Sequence, residues 1–168
     1  MKTRSFVLLL TIALVASFPV CAQPGRCPAV GGAMSAPAGQ CEVVGGVLMT
    51  NINSIEGTTN LGPVFGDLQG SVAAKILGQN SDGSYTVQHY WVTSSGDTIL
   101  FKPAILKAAA TSDSNVAVVL WGNYVSEIYG GTGKFQGARG QIEYFGVADF
   151  KQLTLVLRYR GAILYPNP

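Results

Sequence analysis

Apolar and polar residues alternate in short runs along most of this chain, and the runs end at glycine, proline, asparagine or aspartate. A period of two places successive side chains on opposite faces of a strand. Val43-Val44 and Val47-Leu48-Met49 open the pattern near Glu42, and Thr50 to Ile55 (TNINSI) then alternates. Gly57 to Gly66 reads as a polar connection bearing Gly and Pro, and Asp67 to Gln79 as the next strand. Asn80-Ser81-Asp82-Gly83 is a turn signal, because Asp-Gly tolerates the positive φ of a tight hairpin. Ser84 to Thr93 (SYTVQHYWVT) has the aromatic and β-branched content of a strand. After the turn Ser94 to Asp97, Thr98 to Leu106 returns as another strand, with a bulge or an edge expected at Pro103. Ala104 to Thr111 has the composition of a short helix on propensity alone. Val116 to Trp121, Tyr124 to Tyr129, Arg139 to Val147 and Leu153 to Leu164 complete the strands. In the last, Leu153, Leu155, Leu157, Tyr159 and Gly161 share one face, and Thr154, Val156, Arg158, Arg160 and Ala162 the other.

About eight evenly spaced short strands with turns between them predict an all-β sandwich or barrel. Tyr129 to Gly140 (YGGTGKFQGARG) is dense in glycine. It lacks the GKS/GKT ending of a phosphate loop and opens no amphipathic helix, so it reads as a corner between strands, with Tyr129 or Lys134 able to line a barrel mouth.

The N-terminus departs from this pattern. Lys2 and Arg4 precede an apolar run, Phe6 to Phe18, and Val20-Cys21-Ala22 offers small residues before a cut at Ala22/Gln23. This reads as a signal peptide, residues 1–22, followed by a Gly/Pro/Ala-rich arm, 23–41, and a barrel domain, 42–168. The apolar run is shorter than the roughly 20 residues a membrane span needs, so no membrane anchor is expected after processing. A secreted or periplasmic location follows. Removing Lys2 and Arg4 from the 11 basic residues leaves a near-neutral chain, which argues against nucleic acid as a partner. Cys27 and Cys41 are an even pair for an oxidising compartment, and a disulfide between them would pin the arm to the start of the fold.

Candidate chemistry is sparse. His89 is the single histidine, and no HxH or HExxH spacing is present, so neither a metal nor an organic cofactor is expected. His89 reads as packed or ligand-orienting on its aromatic strand. Trp91, Trp121 and Tyr144 supply rings for an apolar or conjugated ligand. Arg158 and Arg160 lie two apart on one face of the last strand, open to solvent, to a subunit interface, or to a ligand carboxylate. No acid pair and no GxSxG motif is present.

Glu127 to Gly161 resembles the allene oxide cyclase barrel. The resemblance is carried by Gly130, Gly131, Thr132, Gly133, Phe135, Gly137, Gly140, Gln141, Ile142 and Tyr159 to Gly161. The GGTGKF and ARG segments are also similar to plant dirigent proteins, which share that barrel. The resemblance implies an all-β, eight-stranded antiparallel calycin-like barrel of a bacterial-type secreted member, and a homo-oligomer, dimer or trimer. It also implies a Glu-Ile-Asn triplet on the first strand, with the glutamate in the cavity. The nearest triplet here is Asn51-Ile52-Asn53, in which Asn53 matches and Asn51 replaces the carboxylate. An amide orients a polar ligand but supplies no anion.

These readings give a ligand site of Asn51, Asn53, His89, Trp91, Trp121, Tyr144 and Arg158. Three functions fit: an exported barrel binding a small apolar molecule, a cyclase or isomerase closing a ring in a polyene or epoxide, and a non-catalytic secreted scaffold.

Overall fold

The computed structural model describes residues 26–27, 34–35 and 39–166. The expected signal peptide and most of the arm lie outside these residues. The strands in chain order are β1 (Arg26–Cys27), β2 (Met34–Ser35), β3 (Gly39–Ile55), β4 (Thr59–Gly66), β5 (Gly70–Gln79), β6 (Tyr85–Thr93), β7 (Thr98–Phe101), β8 (Ala104–Leu106), β9 (Ala108–Ala110), β10 (Val116–Val119), β11 (Val125–Gly131), β12 (Arg139–Asp149) and β13 (Thr154–Pro166). Among the described residues the one helical element is a 3-10 turn, Gly133–Phe135.

Eight of these strands close on themselves. The antiparallel circuit runs β3, β4, β5, β6, β7, β11, β12, β13 and back to β3. The fold is therefore a closed eight-stranded antiparallel barrel. Closure removes the unpaired edges an open sheet would present. The longest seam joins β3 to β13, in register from Gly39↔Pro166 to Asn51↔Thr154. β1 and β2 form a separate two-stranded ribbon.

Two sequence expectations change. Gly57 to Gly66 holds a full barrel strand, β4. Pro63 fits it because the β3–β4 pairing is interrupted between Leu48↔Val64 and Asn51↔Leu61. Ala104 to Thr111 is no helix but β8 and β9. β8 continues the line of β7 past Pro103 and pairs with β6, while β9 pairs with β10. Pairing to neighbours outweighs alanine's helical propensity in a stretch this short. The expected interruption at Pro103 is present: the ladder between β7 and β11 ends at Phe101↔Ile128, and Lys102 N–H then donates to the Glu127 carbonyl at 2.8 Å.

Alternation decides the interior. Val44, Leu48, Val72, Trp91, Ile142 and Leu157 are among its buried side chains. On β13, Leu155, Leu157 and Tyr159 point inward and Val156, Arg158 and Arg160 outward, as the sequence pattern predicts. The glycine corner closes one end. Phe135, on its 3-10 turn, is fully buried there. Thr132 Oγ1 accepts from Thr98 N–H at 2.8 Å and ties the corner to β7. Gly133 has φ +53°, and a Cβ there would overlap the Asp97 carboxylate unless that side chain moved, so glycine is favoured at this position. The hairpins at 55–59, 79–85 and 149–154 form the opposite end.

Candidate functional site

The barrel interior contains one connected group of polar side chains. His89 projects inward from β6 and is 3% exposed. Its Nδ1 lies 2.8 Å from the Tyr144 hydroxyl of β12, and its Nε2 lies 2.6 Å from the hydroxyl of Tyr124, just before β11. Tyr144 is also hydrogen-bonded to the side chain of Ser126, buried on β11. The two phenol rings meet the imidazole edge-on, and Phe101 packs against it in the same manner.

Burial governs the electrostatics. His89 is pushed down to about 3 by loss of water, so the imidazole is neutral. The same loss raises Tyr124 and Tyr144 well above the ordinary phenol range; for Tyr144 the neighbouring Tyr124 adds to the rise. The group is therefore an uncharged chain of donors and acceptors.

His89 and Tyr124 line a cavity of about 30 Å³ towards the hairpin end. Leu48, Val72, Ala74, Val87, Leu155 and Leu157 supply apolar wall, and the half-buried Ile76 and Leu106 form its rim. Thr50 and Asn60 add polar groups. The Asn60 Oδ1 accepts from Asn53 N–H at 2.8 Å. Thr50 is 3% exposed, and its Oγ1 has no hydrogen-bond partner. Leaving such a hydroxyl unpaired costs about 1–3 kcal/mol. The cavity has room for about one or two water molecules. Beyond it the rings of Trp91, Phe101, Tyr144 and Tyr159 pack against one another in the interior.

The residues predicted for the site divide into two groups. His89 and Tyr144 come together as described. Trp91 stands one layer away, 6.4 Å between ring centroids from Tyr144 and 5.3 Å from Tyr159, with its buried Nε1 unpartnered. Asn51 and Asn53 lie on the outward face of β3 and are exposed; Asn53 adopts φ +53°. Trp121 and Arg158 are also outside the barrel. Tyr129 and Lys134 belong to the glycine end, away from the cavity. Sequence reasoning missed Thr50, Asn60, Tyr124 and Ser126. Period-two counting from Val44 and Leu48 would have placed Thr50, rather than Asn51, inside.

Trp121 takes part in a different arrangement. Glu143 points outward from β12 yet is 1% exposed, because the loop after β10 covers it. Its carboxylate accepts from Gly122 N–H and pairs with Arg160 through Nε and a terminal nitrogen, each at 3.0 Å. The Arg160 guanidinium lies over the Trp121 ring, which packs on Phe145. Beside this cluster the outer wall is apolar. Val147 and Val156 stand opposite each other, and Val156 stands opposite Met49. Met49, Pro63, Phe65 and Val156 share a surface hollow.

Cys41 is disulfide-bonded. The Cys27 side chain lies outside the described residues, so its pairing with Cys41 is a proposal. Among the described residues no cluster of three or more His, Cys, Asp or Glu could hold a metal.

No protein-family model and no curated protein matches the chain. Among solved structures, a pterocarpan synthase dirigent protein is similar at 13% identity and a TM-score of 0.35, over 77% of this chain and 90% of that one. The barrel assignment rests on the strand circuit itself.

Proposed function

We propose that this chain is an exported β-barrel that binds a small, mainly apolar molecule at the hairpin end of its interior. One observation carries the reading: an unpartnered, buried Thr50 hydroxyl shares a mainly aliphatic cavity with Asn60 and the His89–Tyr124 pair. Buried polar groups are normally satisfied within the fold. One left open beside a wall of aliphatic side chains fits a site completed by a guest. The free volume is small, so the guest enters past Ile76 and Leu106, with the rim side chains moving aside. Native mass spectrometry of the purified protein, followed by extraction, tests this. A co-purified apolar molecule, displaced on unfolding, is the expected result. A mass equal to the bare chain, with no thermal stabilisation by an apolar extract, would sink it.

A second reading is the secreted scaffold without a ligand, which the largely filled interior favours. The cyclase or isomerase reading draws on the resemblance to allene oxide cyclases. It would be supported by a ring-closed product after incubation with polyenes or epoxy fatty acids. Asn51 faces outward, so such a reaction would draw its polar groups from His89 and Tyr124 instead. The apolar outer wall of Met49, Val147 and Val156 supports association with further copies of the chain.

A further inference from the structure

Building on the reading of the interior as a binding site, we infer that the barrel takes an uncharged ligand with a hydroxyl or carbonyl oxygen seated between Thr50 and Tyr124. Donors and acceptors around His89 are limited in number. A neutral imidazole has one N–H and one lone pair, and both His89 nitrogens face a phenol. One phenol must donate to His89, and the other must accept from it.

Two arrangements satisfy the group. In the first, Tyr124 donates to Nε2, Nδ1–H donates to Tyr144, and Tyr144 donates to Ser126. The Tyr124 oxygen then offers a lone pair to the cavity. In the second, Ser126 donates to Tyr144, Tyr144 donates to Nδ1, and Nε2–H donates to Tyr124. The Tyr124 hydroxyl then donates into the cavity. The chain can therefore present either an acceptor or a donor at one point, while Thr50 Oγ1 has both capacities free. An alcohol completes the first arrangement and a ketone or aldehyde the second.

Charged ligands are excluded by the surroundings. No Asp, Glu, Lys or Arg lines the cavity. Arg158, the residue suited to a carboxylate, is on the outer surface, and Arg160 is committed to Glu143. A carboxylate or ammonium at Thr50 would be buried without a counter-ion.

The test uses the purified full chain with four probes: xenon, 1-hexanol, 2-hexanone and hexanoate, followed by NMR. The expected result is that xenon shifts methyl signals of the cavity wall and that hexanol and hexanone bind at the same signals. Hexanoate should bind at least about tenfold more weakly at pH 7, since its charge would lie unpaired. Thr50→Val, close in shape, should weaken hexanol about three- to tenfold and leave the xenon response unchanged. Circular dichroism confirms that the variant is folded, and Tyr124→Phe gives a second, independent loss. Hexanoate binding as tightly as hexanol would overturn the inference, as would hexanol affinity indifferent to both substitutions. Either outcome with xenon still bound leaves the binding-barrel reading standing. Failure of all four probes to perturb the interior defeats that reading itself.

Discussion

The Tyr144 hydroxyl and the His89 Nδ1 are 2.8 Å apart although they lie 55 positions apart in sequence, and their strands, β12 and β6, are not neighbours in the circuit. The bond spans the barrel interior. Tyr144→Phe removes that partner and leaves a buried ring nitrogen unsatisfied. The expected loss is about 1–3 kcal/mol of unfolding free energy, read by urea denaturation. A variant as stable as the parent would show that the bond is not part of the stabilising core.

The neutral His89 gives the barrel an acid-sensitive window. Its value is about 3 in the folded chain, against an ordinary 6.5, so between these the unfolded chain binds the extra proton. Stability from this group is complete above about pH 6.5 and falls as pH drops toward 3. The slope is about 1 kcal/mol per pH unit. Denaturation midpoints measured from pH 7 to pH 4 should fall accordingly, and His89→Gln should flatten the dependence across that window. An unchanged slope in the variant would assign the acid sensitivity to other groups.

Glu143 depends on Arg160. Arg160→Met leaves a buried carboxylate with only the Gly122 N–H, and the expected cost is about 1–3 kcal/mol, less than for a fully buried pair because Arg160 is half exposed. Glu143→Gln combined with Arg160→Met removes the stranded charge and should recover part of the loss. Trp121 fluorescence reports the same event, since release of the guanidinium from the ring should change its emission. Identical emission in the parent and Arg160→Met would mean that the stack does not persist in solution.

The outer wall makes a separate prediction. If Met49 and Val156 are covered by another copy, Met49→Glu with Val156→Lys should lower the mass found by light scattering without changing the circular dichroism spectrum. The two positions face each other in the β3–β13 register, so the new charges pair within one chain and folding is spared. A parent that is already monomeric at high micromolar concentration would end that reading.

Much of the barrel is legible in its alternation. The inward set Leu155, Leu157 and Tyr159 follows directly from period two, and Asn80 to Gly83 marks the β5–β6 hairpin. The site is legible only in part. His89 and Tyr144 stand out by type, but nothing local reveals that Tyr124 completes the pair, because the contact is made across the interior. Asn51 and Asn53, which match a family triplet, lie on the opposite face of β3 from Val44 and Leu48, a placement that period two alone gives. Trp121 stands outside because Val116 to Tyr129 is two strands on one partner, β12, with a loop folded outward between them, which no local pattern announces.

The seam between β3 and β13 also governs the order in which the chain can fold. Glu42 and Tyr165, hydrogen-bonded at 2.7 Å, are 123 positions apart in sequence. Ring closure must wait for the last strand to emerge, whereas the hairpins β4–β5 and β5–β6 can zip locally beforehand. Topologies dominated by such distant pairings fold in milliseconds to seconds, not microseconds. Until β13 docks, β3 and β12 each present an unpaired edge, and that interval is when the nascent barrel is most open to pairing with the wrong strand.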